Sequence, residues 1–104
     1  MKNDNWLSDL ADEARLATAD HFLFARFVKH AKQVGDIKRI LLEEDTASRY
    51  AAAWFQLEIV NALALGAWED NGKPEIWLNE WRESYQQDAE EVVSEFLAVV
   101  DGLT

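Results

Sequence analysis

The chain has 104 residues, 49% apolar and 12% aromatic with five tryptophans, which is material for one core and a single domain spanning 1–104. Twenty acidic side chains against ten basic ones give a net charge of −10, a field that repels nucleic acid and anionic membrane and attracts basic surfaces. The absence of cysteine excludes disulfides, thiolate metal sites and thiol nucleophiles, and fits a reducing cytoplasm.

The first element is read from Leu7, Leu10, Ala14, Ala17, His21, Phe24, Val28 and Ala31, which recur at alternating steps of three and four. That stripe predicts one long helix from Trp6 to Ala31, capped by Asp4 or Asn5, with Thr18-Ala19-Asp20 as the point where it would kink. Val34-Gly35-Asp36 reads as a stop and restart, because glycine accepts the left-handed cap conformation and aspartate caps the next helix. A short helix with Ile37, Ile40 and Leu41 on its apolar side is expected there.

Asp45-Thr46 offers another capping pair, after which residues 47–68 are apolar nearly all round. A helix of that composition is expected at the centre of a bundle. Glu69-Asp70-Asn71-Gly72-Lys73-Pro74 is a loop. Pro74 would then open the last helix, where its missing N–H costs nothing, and Glu75 would complement the dipole. Trp77, Leu78, Trp81, Tyr85, Ala89, Val92, Phe96 and Val99 form one face of that helix, and Glu80, Glu83, Gln87, Glu90, Glu91 and Ser94 the opposite one. One proline and four glycines suit helices better than strands joined by tight turns. The expected fold is all-α, an antiparallel helical bundle of three long helices plus one short helix.

Charge is unevenly placed. Residues 1–49 hold 8 Lys/Arg and 9 Asp/Glu, a net of −1, whereas residues 50–104 hold 2 and 11, a net of −9. From Glu69 to Glu95 nine acids face only Lys73 and Arg82. Helix surfaces ordinarily intersperse signs, because like charges three or four apart repel by a few tenths of a kcal/mol. A one-sided row of carboxylates can be a solvated face or a surface offered to a basic partner. The second reading makes Glu69, Asp70, Glu80, Glu83, Glu90, Glu91 and Glu95 partner-binding, with Trp68 and Trp77 as aromatic anchors beside them. Trp6, near the N-terminus, is a further candidate for partial exposure. The basic counterpart is residues 26–39, where Arg26, Lys29 and Lys32 suit self-association with the acidic half better than nucleic-acid contact.

Catalysis and metal binding find little support. His21 falls on the apolar stripe, as a core histidine would, and an enzyme would have to rest on it with Glu58 or a nearby acid. His30 sits among Arg26 and Lys29 with no carboxylate three or four residues away. Nine residues along one helix would hold the two histidines about 13 Å apart, too far to share an ion. Asp70-Asn71-Gly72 lacks the alternating ligands and distal glutamate of a calcium loop, since Ala67 and Leu78 stand where oxygens are needed. No catalytic residue, metal or cofactor is therefore expected.

The function expected is that of a small acidic protein that inhibits or regulates a larger partner with a basic, nucleic-acid-handling surface. Nucleic-acid mimics of the anti-restriction or anti-CRISPR kind and immunity proteins belong to this class. The alternative is a homodimeric structural or adaptor protein. Both would be cytoplasmic, without direct contact to nucleic acid or membrane.

Overall fold

A computed structural model describes residues 6–102, all helix and turn, with no strand among them. The fold is all-α. Five α-helices follow one another: α1 (Trp6–Ala17), α2 (His21–Lys38), α3 (Glu44–Asp70), α4 (Leu78–Ser84) and α5 (Gln86–Asp101). Contacts join α1 to α2, α2 to α3, α3 to α5 and α5 back to α1, so four helices close a ring around one core.

The stripe from Leu7 to Ala31 belongs to two helices. Asp20 takes an extended conformation and its carboxylate accepts the Leu23 N–H at 2.8 Å, capping α2 and ending the continuity with α1. The two segments fold back on each other, and both halves of the stripe still enter the core. Periodicity is the same for a straight helix and for a hairpin that keeps phase. The caps expected from Asp4 or Asn5 lie outside the described residues.

Gly35 does not stop the chain; α2 runs through it to Lys38. Its role is spatial, because a Cβ there would collide with the Tyr50 ring of α3. Asp36 is likewise no cap but the i,i+4 partner of Lys32, at 3.1 Å. The expected short helix shrinks to a 3-10 turn, Arg39–Leu41, and Ile37, Ile40 and Leu41 are exposed. α3 starts at Glu44, so Asp45 and Thr46 lie inside its first turn, where Asp45 meets Arg49 at 3.5 Å.

α3 spans 27 residues, roughly 40 Å. It is not central. Ala47, Tyr50, Leu57, Val60 and Ala64 are buried, while Phe55, Ile59 and Leu63 are exposed on the opposite side. The chain leaves it through Gly72 (φ 88°) and Lys73 (φ 56°), two left-handed residues in a row, with Lys73 N–H returning to the Trp68 carbonyl at 3.0 Å. Pro74 belongs to this loop and not to a helix. Its carbonyl accepts the Trp68 indole N–H at 2.8 Å, and Glu75 is exposed before α4 begins.

The last helix is broken at Tyr85 (φ −130°, ψ −25°) into α4 and α5. The Thr18 carbonyl, in the α1–α2 turn, accepts both the Trp81 indole at 3.0 Å and the Gln86 amide at 2.8 Å. The α1–α2 turn and the α4–α5 break are thereby fastened together. Beyond the break the buried stripe is Ala89, Val93, Phe96 and Val100, so Val92 and Val99 stand at its margin and not in its centre.

Candidate interaction surfaces

The carboxylates of α5 take their direction from the side it buries. Phe96 sits edge-on to both Phe27 (5.7 Å between centroids) and Tyr50 (5.2 Å), and with Ala89, Val93 and Val100 it fixes the rotation of α5. Glu90, Glu91 and Glu95 therefore point away from the core, and all are exposed. Trp81 does the same for α4, with Glu80 and Glu83 exposed on it. Glu69 and Asp70 are exposed at the end of α3. None of these seven carboxylates has an ion-pair partner among the described residues.

The tryptophans divide differently. Trp77 is 3% exposed and stacked on Tyr85 at 5.8 Å, so it supports the acidic surface from behind and presents nothing to a partner. Trp68 is half-buried, its indole N–H committed to Pro74 and its ring edge-on to Phe22 at 5.6 Å. Phe22 and Ile76 are both exposed, Ile76 in the loop beyond Pro74. Trp6 is half-buried, with Lys38 Nζ 6.0 Å from its ring centre.

On the basic segment, Arg26 and Lys29 are exposed and lack ion-pair partners among the described residues. Lys32 turns to Asp36 and lies 5.5 Å over the Trp54 ring. No ion pair among the described residues joins these three cations to α4 or α5. A groove that the sequence pattern does not announce runs between α2 and α3. Cavities of about 230 and 320 Å³ share Lys32 and Trp54 along it. Its floor forms where Tyr50 donates to the Ala31 carbonyl at 2.7 Å and Trp54 to that of Val28 at 2.8 Å. Gly35 followed by Tyr50 and Trp54 one turn apart was its signal, though only the pairing of two helices gives those residues a common meaning.

His21 is 3% exposed inside an aromatic box, with ring centroids of Phe22, Trp68, Trp77 and Trp81 at 5.2, 5.7, 5.3 and 6.0 Å. Burial pushes its pKa below the usual histidine value, and the neighbouring Asp20 partly offsets the shift. The imidazole is thus neutral at pH 7. Its Nδ1 and the Trp77 indole nitrogen are both buried without a protein partner. Glu58 is bonded to Asn61 and lines the α2–α3 groove, which His21 does not line. His30 reaches a carboxylate after all, Glu13, which fold-back delivers from α1. Among the described residues no three His, Asp or Glu side chains gather as a metal site would require, and no helix is long and apolar enough to cross a membrane.

Comparison with protein-family models, curated proteins and solved structures finds no match to this chain.

Proposed function

We propose that the protein is a small, non-catalytic binding protein of the cytoplasm that docks its acidic α4–α5 face onto the basic surface of a larger, nucleic-acid-handling partner. One observation carries this reading: Glu69, Asp70, Glu80, Glu83, Glu90, Glu91 and Glu95 are all exposed and unpaired on helices whose orientation the core fixes. Carboxylates held in a rigid row stand in for phosphates, and a cleft built to neutralise a nucleic-acid backbone would accept them. Inhibition by mimicry needs no reacting group of its own. His21 suits that reading, since burial among aromatic rings makes it a packing residue.

Phe22, edge-on to Trp68, and Ile76 are exposed apolar side chains that can add contact area once charge has brought the partners together. Reversal of Glu80, Glu83, Glu90 and Glu91 to lysine tests the proposal. The variant is expected to keep its helical circular dichroism, since all four side chains are exposed, and to lose partner binding altogether. Retained binding with intact fold would remove the acidic face from the mechanism.

A further inference from the structure

The outer side of α3 is uncharged where a solvated helix would carry charge. Between Arg49 and Glu69 it presents Ala52, Phe55, Gln56, Ile59, Ala62 and Leu63, all exposed, over roughly 30 Å of helix. Phe55 and Leu63 leave 56% and 62% of their surface in solvent, in a protein where 29% of residues are charged. Gly66 lies on the same side. Glycine weakens a helix interior relative to alanine, yet nothing stands within 4 Å of where its Cβ would be. Gly35 has an internal reason to lack a side chain; Gly66 has none within this chain.

We infer that this face packs against the same face of a second copy, antiparallel, about a twofold axis at Ile59. This inference goes beyond the proposed function and uses a different helix face, which shares only Asp70 with the acidic surface. Such a symmetric interface must be complementary to itself. In the antiparallel register Phe55 lies over Ala62 of the partner subunit, and Leu63 enters between the partner's Ala52 and the partner's Gln56. Large side chains thus meet small ones, and Gly66 lets the backbones approach. Arg49 comes to Asp70 of the partner subunit, twice over by symmetry. A parallel pairing would instead gather Glu69 and Asp70 from both copies at one end, four carboxylates against the two copies of Lys73, and leave Arg49 at the other, so charge favours the antiparallel arrangement. The acidic side of α5 stays free in the pair, because α5 packs on the inner side of α3.

Sedimentation velocity on the full chain tests this. The wild type is expected at twice the chain mass, and Ile59→Glu at the chain mass with unchanged circular dichroism, its dissociation constant raised roughly 100-fold or more. Should Ile59→Glu lose helix, Gly66→Gln takes its place, since its side chain has open space in the single chain and none in the pair. Arg49→Glu should weaken the dimer, and adding Asp70→Arg to it should restore it. A wild type that sediments as a monomer at its highest soluble concentration overturns the inference, whether the face stays bare or takes up a different protein. So does a dimer indifferent to Ile59→Glu, and failure of the charge swap to rescue overturns the antiparallel register.

Discussion

α3 and α5 pack against each other and treat their outer sides in opposite ways. α5 buries Ala89, Val93, Phe96 and Val100 and turns Glu90, Glu91 and Glu95 outward; α3 buries Tyr50, Leu57, Val60 and Ala64 and turns Phe55, Ile59 and Leu63 outward. An inner face answers only to the core. The outer face is where a sequence is free, so what it keeps there reports on a demand other than folding. In α5 the demand is charge without compensation, and in α3 it is apolar surface without cover. The proposed docking and the proposed pairing rest on these two outer sides, one electrostatic and one by close packing.

The comparison breaks most readily at the core. Phe96→Ala removes a fully buried ring that touches Phe27 and Tyr50, and should cost roughly 3–5 kcal/mol in urea denaturation. Ile59→Ala, measured in dilute solution where the chain is single, should cost less than about 1 kcal/mol. Similar losses from the two would mean that the outer side of α3 is part of the folding core.

The two helical glycines sharpen it further. Gly35→Ala should destabilise by about 1–3 kcal/mol because the new methyl meets the Tyr50 ring, and Tyr50→Leu in the same chain should recover part of that loss. Gly66→Ala should do the reverse in dilute solution, raising stability by about 0.5–1 kcal/mol. A loss at Gly66 in the single chain would give that glycine an internal role and weaken the case for a packed partner.

Stability against pH is the gentlest probe. The buried imidazole of His21 has a lowered pKa in the folded state, so the unfolded chain binds the proton more readily. Stability from this residue is complete above its ordinary value of 6.5 and is lost as pH falls below that towards the folded-state pKa. The slope cannot exceed about 1.4 kcal/mol per pH unit for one proton. Denaturation midpoints should fall between pH 7 and pH 5.5 in the wild type, and His21→Phe should remove that component; an unchanged profile would contradict the buried, neutral assignment.

Much of the fold was legible where amphipathic pattern was strong. Leu10, Ala14, Ala17, His21, Phe24, Val28 and Ala31 are all buried as their spacing requires, yet the same spacing could not reveal the reversal at Thr18–Asp20. The outward direction of Glu80, Glu83, Glu90 and Glu91 followed from the aromatic stripe opposite them. Trp77 turns inward and is no anchor, a difference its sequence cannot show because a tryptophan beside a loop has the same local signature whether it turns in or out. α3 gave no direction, being apolar on every side, so neither its exposed face nor the groove it forms with α2 could be seen in the sequence. Orientation of such a helix is decided by its neighbours, as Gly35 and Tyr50 show.

The most direct measurement is an affinity capture from lysate of the organism that encodes the chain, run in parallel with the wild type and the Glu80, Glu83, Glu90 and Glu91 reversal variant and washed at low and then high salt. The account predicts one basic, nucleic-acid-handling protein held by the wild type at low salt, released at high salt and ignored by the variant. Equal capture by both proteins, or capture that survives high salt unchanged, would contradict it.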